Sequence, residues 1–417
     1  MKYFKISDKI LNLSQTAADD VKAQFEVIDE ISQKNTEKVL AAFQKNRVSD
    51  TMFAGSTGYG YDDKGRETLD RIFADIMKTD AALVRERFVS GTHAITAMLF
   101  ASLRPGQTLL SVAGIPYDTL HGVIGISGNY SGSLSDFDIA YSQIELKKDG
   151  SPDFAAISQA VKSNNVGAVL IQRSRGYSTR RALSVREIGE ICDCVRLANK
   201  SVTVMVDNCY GEFVETIEPG EVGADILAGS LIKNPGGGLA PTGGYVAGRE
   251  DLVNAAANRL TAPGIGDKCG SEQGGHRLLY QGLFMAPHTV AQAVKTAVFA
   301  ARLFSLLGYK THPCYSDIRS DIIQMIELLS PEALLRFCRG IQAAAPVDSY
   351  VTPIAAEMPG YEHQVVMAAG TFIQGASIEL SADAPMREPF NAFLQGGLTY
   401  ESGKLGVMLA ASYLLEV

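Results

Sequence analysis

Two residues that close apolar runs define the chemistry open to this chain. VTVMVDN delivers Asp207 to the carboxyl end of a strand-like segment, and ILAGSLIKNPGGG delivers Lys233 just past another, between Ser230 and Gly236, Gly237 and Gly238. They lie 233 − 207 = 26 residues apart, about one strand–loop–strand unit. Ligand groups of α/β proteins gather at such strand ends. A lysine in a Gly-rich loop behind an apolar strand is partly desolvated. That lowers its pKa and makes the amine a nucleophile able to form an imine. An acidic side chain on a neighbouring strand can keep a pyridine nitrogen protonated, which is what pyridoxal 5'-phosphate (PLP) requires of an electron sink. Two more segments complete the set. SGTHAI (90–95) follows a candidate strand and opens a helix, so the N–H groups of Gly91 and Thr92, the Thr92 hydroxyl and the helix dipole can hold a phosphate. Tyr117, in AGIPYDTL, follows the next candidate strand and can lay its ring on a planar cofactor.

Other common ligand motifs are missing. GYGYDD (58–63) has Asp63 where a dinucleotide fingerprint needs its third glycine, no G-x-x-x-x-G-K-[ST] occurs, and the six histidines are scattered without H-E-x-x-H. No metal site is therefore expected. The chain has 417 residues, with 38 Lys+Arg against 46 Asp+Glu and a net charge of −8. That acidic balance argues against a nucleic-acid or membrane-surface protein, which would usually display a basic face. The six cysteines (192, 194, 209, 269, 314 and 338) form no C-x-x-C pair and read as free thiols of a reducing cytoplasm. The N-terminal stretch has scattered charges and reads as neither a signal peptide nor a spanning helix.

The elements that must position these groups read as an α/β core. Candidate strands at 85–90, 108–114, 167–172, 201–207, 224–230 and 243–248 alternate with helical patterns at 67–78, 92–103, 154–163 and 184–199. The strands are apolar on both faces, as in a mostly parallel sheet covered by helices on each side. A helix is expected over 20–45, a Gly- and Pro-rich functional loop over 261–287, and a long helix over 289–307. Helices at 318–328 and 332–344 and strands near 364–368 and 375–380 would follow. The expected organisation is an N-terminal helical segment (1–50), a large α/β domain (51–298) and a smaller α+β domain (299–417).

In this setting the chain resembles the fold-type I PLP enzymes of transsulfuration, the cystathionine lyases and methionine γ-lyase, which share an aspartate aminotransferase-like architecture. More narrowly it is similar to the branch associated with aluminium resistance. SGTHAI, VDNCYGEF, GSLIKNPGGG, QGLFMAPH and QGGLTYESG match that branch in order, over nearly the whole chain. The resemblance implies Lys233 as the imine-forming lysine, Asp207 as partner of the pyridine nitrogen and Tyr117 as the stacking tyrosine. It makes Gly91, Thr92 and Ser230 phosphate ligands, and Tyr59 the tyrosine that reaches the phosphate of a neighbouring subunit in a homodimer or homotetramer. There are departures. Tyr61 stands where the lyases have an arginine, leaving Arg66 to rebuild that contact, and Ile232 replaces a threonine before the lysine. QRSRGYSTRR (172–181) replaces a Pro-containing turn, so Arg173 or Arg175 becomes a candidate for the cofactor hydroxyl or a substrate carboxylate. Arg387, in SADAPMREPF, is the candidate for clamping the α-carboxylate through a bidentate pair.

The implied activity is a PLP-dependent carbon–sulfur lyase. It would carry out β- or γ-elimination on a cystathionine-, methionine- or cysteine-like amino acid, releasing keto acid and ammonia. Lys233, with Tyr117, would move the protons. Transamination, aldol cleavage or β/γ-replacement on the same scaffold, or a PLP-binding stress protein without turnover, are the competing readings. The sequence offers no metal site to account for the aluminium association.

Overall fold

Successive side chains of a strand leave on opposite faces, and this chain fills both. The computed structural model describes residues 3–415 other than 128–130, 164, 359–360 and 362. Among them a seven-stranded sheet is built from β1 (Ala81–Arg85), β2 (Thr108–Ser111), β3 (Ala140–Gln143), β4 (Val166–Gln172), β5 (Thr203–Asp207), β6 (Ile226–Ser230) and β7 (Gly244–Gly248). The spatial order is β1-β7-β6-β5-β4-β2-β3. β7 runs antiparallel to both neighbours, and all other pairs are parallel. The helices are α1 (Asp8–Asp20), α2 (Lys22–Lys45), α3 (Lys64–Met77), α4 (Gly91–Ser102), α5 (Asp118–Ile124), α6 (Phe154–Ser163), α7 (Val185–Ala198), α8 (Glu250–Leu260), α9 (Arg277–Leu306), α10 (Pro331–Ala343) and α11 (Tyr400–Leu415). Leu109, Leu170 and Met205 join a core with α4, α5 and α8, while their neighbours Leu110, Ile171 and Val204 join one with α2, α3, α6, α7 and the first half of α9.

A second, wholly antiparallel sheet follows: β8 (Lys310–His312), β9 (Gln324–Glu327), β10 (Ala355–Ala356), β11 (Val365–Ala368), β12 (Leu380–Pro385) and β13 (Asn391–Gly396), in the order β10-β11-β12-β13-β9-β8. One face packs on α1, α10, α11 and the second half of α9, with Ile10, Phe304, Phe337 and Leu394 among the buried contacts. α9, at 30 residues and about 45 Å, thus contributes to the cores of both sheets.

Several expectations need correction. The strand expected at 85–90 is β1 five residues earlier in the chain, and residues after Arg85 turn toward α4. The expected loop over 261–287 ends at residue 276, because α9 already begins at Arg277 and runs through Gly282 and Pro287. Those breaker residues are overridden by a buried stripe of Leu279, Leu283, Ala286 and Val290. The helix expected at 318–328 is instead β9, held between β8 and β13: pairing decided a segment whose apolar pattern fits either element. The strand expected at 375–380 begins only at Leu380, as β12, and α1, α5, α8, α11, β3, β8, β10 and β13 are additional to the expected elements.

Glycine at 282 has a specific reason. A Cβ there would lie 2.3 Å from the Gly236 carbonyl oxygen, and one on Gly237 (φ +55°) would lie 2.3 Å from the Gly282 oxygen. The loop that carries Lys233 therefore rests backbone to backbone on α9. Gly282→Ala gains about 1 kcal/mol of helix propensity, but it drives a methyl into a backbone that cannot swing aside, and overpacking of this kind costs about 1–3 kcal/mol or more. We expect a net loss above about 1 kcal/mol in chemical denaturation. A midpoint equal to or above wild type would show that the loop yields.

Candidate functional site

The parallel strands β4, β5 and β6 end together, with Gln172 opposite Asp207 and Asp207 opposite Ala228 in register. Asp207 is the last residue of β5, Ser230 the last of β6, and Lys233 follows three residues later. With Gly91, Thr92 and Tyr117 they line one cavity of about 280 Å³, at the lower end of the size of small-molecule sites. Six groups singled out from sequence thus converge.

The Lys233 Nζ sits 4.1 Å from the centre of the Tyr210 ring. Tyr210 has φ +69°, a left-handed conformation uncommon for a bulky side chain, and its hydroxyl bonds Ser377 Oγ at 3.0 Å. Burial pushes the Asp207 carboxyl up, while Lys233 and the Cys209 N–H, which donates to Asp207 Oδ1 at 3.1 Å, draw it back. For Lys233 burial favours the neutral amine, but Cys209, Tyr210, Asp207 and Glu212 outweigh it and hold the ammonium above its ordinary range. This runs against the expected lowering, because a thiol and a phenol as well as two carboxylates crowd the amine.

At the other end of the cavity α4 begins. The Ser90 Oγ caps it by accepting from the His93 N–H at 3.1 Å. The N–H groups of Gly91 and Thr92, in the first turn, have no carbonyl partner within the helix. A Cβ on Gly91 would stand 3.0 Å from Ser230 Cβ, so glycine lets the helix start abut the end of β6. Thr92 Oγ1 lies 2.9 Å from Thr119 Oγ1. Tyr117, just before α5, donates its N–H to Gln172 Oε1 at 2.6 Å, and its hydroxyl meets that of Tyr361 at 2.6 Å. An amine, a buried carboxylate, a helix start flanked by hydroxyls and an aromatic ring are the donor set that PLP needs for its aldehyde, ring nitrogen, phosphate and ring face. The residues present fit that group.

The arginines do not converge. Arg173 is fully buried outside the cavity, with its guanidinium bonded to Asn208 Oδ1 at 2.8 Å and Glu215 Oε1 at 2.9 Å and within 3.5 Å of Glu218 Oε2. Arg175 is buried beside it in sequence and donates to the His312 carbonyl at 2.9 Å. Arg387 is exposed and donates to the Tyr177 carbonyl at 3.0 Å, behind the cavity wall. None is among the residues that line the cavity: the Arg173 fork is taken up by Asn208, Glu215 and Glu218, while Arg175 and Arg387 each donate to one backbone carbonyl. Arg66 likewise spends its guanidinium on the carbonyls of Gly60 (2.9 Å) and Gly270 (2.5 Å), tying two loops together. Tyr59 is 73% exposed, stacked on Tyr61 with ring centres 5.5 Å apart, and lies outside the cavity of its own chain.

Sequence reasoning passed over Tyr177, Tyr210, Tyr361, Asp383 and Gln395, all of which line the cavity. The available signal is the alternation in LSADAP: Leu380, Ala382 and Ala384 enter the core of the second sheet, so Ser381 and Asp383 must face the other way.

Asp207→Asn removes a negative charge that favours the Lys233 ammonium, so it lowers the lysine pKa. Modification of Lys233 by an amine-reactive reagent, followed by mass spectrometry across a pH series of cofactor-stripped protein, should begin at lower pH in the variant. Superimposable profiles would mean that the carboxylate does not act on the amine.

The family model for methionine γ-lyase matches residues 10–415. A carbon–sulfur lyase involved in aluminium resistance from Clostridium novyi NT superimposes with a TM-score of 0.94 at 51% identity, covering 98% of this chain and 96% of that one. The Bacillus subtilis (strain 168) protein YnbB is 49% identical over 400 residues, 95% of this chain and 94% of its own. The pyridoxal-5'-phosphate-dependent protein YhfS of Escherichia coli, at 19% identity, shares the fold with a TM-score of 0.62 over 91% of this chain and 95% of that one. The architecture is that of the fold-type I PLP-dependent transferases, and the chain belongs to the methionine γ-lyase family.

Proposed function

We propose that this protein is a PLP-dependent carbon–sulfur lyase that eliminates a sulfur-bearing group from the β- or γ-carbon of an amino acid. The observation that carries this reading is the presence of Lys233 and Asp207 in one cavity that also holds the start of α4. Bound there, the cofactor would supply an electron sink for the charge left when a Cα proton is removed. The chain's own residues divide the remaining work. Gly91 and Thr92 N–H groups, with the Thr92 and Ser230 hydroxyls, hold the phosphate, and the Tyr117 ring covers a ring face. Asp207 holds a proton on the ring nitrogen. With its charge matched in that way, one of the groups that favour the Lys233 ammonium is offset, and burial favours the neutral amine, which can take the Cα proton and return it to the leaving group. Tyr117 and Tyr361, whose hydroxyls touch, stand beside that path. The family match and the Clostridium novyi relative favour carbon–sulfur cleavage over other PLP chemistry.

The reading includes a homo-oligomer in which Tyr59 of one copy reaches the phosphate of the next, an arrangement consistent with its exposure and its distance from its own cavity. Among the described residues no helix is long and apolar enough to cross a membrane, and no cluster of three or more His, Cys, Asp or Glu is placed to hold a metal.

Purified holoenzyme incubated with cystathionine, cysteine and methionine should release keto acid and ammonia together. Lys233→Ala should lose the visible absorbance of a lysine-bound cofactor and at least about 10³-fold of the turnover. Keto acid without ammonia would identify an aminotransferase. A visible band with no product from any amino acid would identify a binding protein. An unaltered band in the lysine variant would remove Lys233 from the site.

A further inference from the structure

The end of the cavity formed by the second sheet has an unexpected charge. Among the described residues that line the cavity, the one basic side chain is Lys233, against two carboxylates, Asp207 and Asp383. Asp207 and Lys233 are accounted for above. Asp383 is not. Strand parity turns it inward, and Gln395, on the adjacent β13, fixes it by donating Nε2–H to Oδ2 at 2.8 Å. Burial raises its carboxyl above the ordinary value, with Gln395 drawing it back.

The surroundings of Asp383 offer acceptors and ring faces. Tyr177 and Tyr361 stack with centres 5.6 Å apart, and Tyr117 meets them edge-on at 5.4 Å and 6.0 Å. The buried Ser381 Oγ there has no hydrogen-bond partner, and the Tyr177 hydroxyl stands close enough to Asp383 to help draw its carboxyl down. A carboxylate brought into this corner would face Asp383 at short range in a medium that screens poorly. An ammonium would find a carboxylate, free hydroxyl lone pairs and tyrosine faces, the surroundings that attract organic cations.

We propose that the corner formed by Asp383, Tyr177, Tyr361 and Ser381 is a subsite for a positively charged group at the far end of the substrate. The substrate class is then a thio-substituted amino acid whose sulfur-linked arm ends in an amine rather than a carboxylate. This deepens the lyase reading and rests on it for the bond that is broken, but the charge preference itself is a matter of binding.

The test is calorimetric titration of holoenzyme with a near-isosteric pair of opposite charge, S-(2-aminoethyl)-L-cysteine and S-carboxymethyl-L-cysteine, with S-methyl-L-cysteine as a neutral reference and keto acid measured separately. The aminoethyl compound should bind at least about tenfold tighter than the carboxymethyl one, the scale of one charge-assisted hydrogen bond. Asp383→Asn should erase that ratio and leave the affinity for S-methyl-L-cysteine within about twofold, the scatter of a neutral contact. Equal affinities, or a preference for the carboxymethyl compound, in wild type would overturn the subsite. So would a ratio unchanged in the variant. Should Asp383→Asn fail to retain cofactor, the wild-type ratio still decides, with Ser381→Ala as the second variant expected to reduce it. A clear cation preference with no keto acid from any compound keeps the subsite and rejects the lyase. Keto acid released without any charge preference does the opposite.

Discussion

Lys233 and Asp207 are withdrawn from water at or just past the ends of two adjacent strands, and each draws the other toward its charged form. Neither Lys233 nor Asp207 is stabilised by a dense set of hydrogen bonds. Asp207 has one backbone donor, and Lys233 lies over the face of Tyr210. The pair is held in place by packing behind it: β5 and β6 in parallel register, a loop of glycines pressed onto α9, and a helix start brought to within contact of Ser230 because residue 91 has no side chain. A cofactor that offers a cationic ring nitrogen to the carboxylate and an aldehyde to the amine satisfies both groups at once. The same arrangement explains why the lysine is not pre-activated by burial alone. Matching the charge of Asp207 removes one of the influences that hold it as the ammonium.

The second sheet completes the site from the opposite side by the plainest of strand rules. In β12 the small residues Ala382 and Ala384 enter the core with α10 and α11, which leaves Ser381 and Asp383 facing the cavity, while in β13 Ala392 and Leu394 go inward and Phe393 and Gln395 outward. A one-residue slip would bury Asp383 among apolar side chains and empty the cavity wall of its polar groups. The polar groups of the cavity thus come from the register of an antiparallel sheet on one side and from the strand ends of the parallel one on the other.

The buried arginines show how a charge can serve the fold. Arg173 neutralises Glu215 and Glu218 beneath the segment that follows β4, and Arg66 gathers carbonyls from two loops. Both are planar forks with fixed acceptors, the use for which arginine is better suited than lysine. Neither is available to a ligand.

Sequence alone determined the parallel α/β core, because runs such as AVLI (168–171) and VMV (204–206) are apolar at every position and a sheet covered on both faces absorbs them. It also determined the residues at the ends of those runs, Asp207, Ser230, Lys233, Gly91, Thr92 and Tyr117, since strand ends and helix starts are local facts. It did not determine the elements whose form depends on a distant partner. β9 reads as well as a helix until β8 and β13 flank it, and α9 runs through Gly282 and Pro287 because the stripe around them is buried by other elements. The surroundings of the arginines were hidden for the same reason: a guanidinium's partners are the acceptors that folding brings to it, and for Arg173, Arg175 and Arg387 acceptors lie 42, 137 and 210 positions away in sequence. Asp383 became a cavity residue only when the parity of β12 and the seating of the second sheet against the first were fixed. Periodicity and chain ends are short-range properties that a sequence carries in full. The partner of a buried charge is a long-range property, and tertiary structure alone decides it.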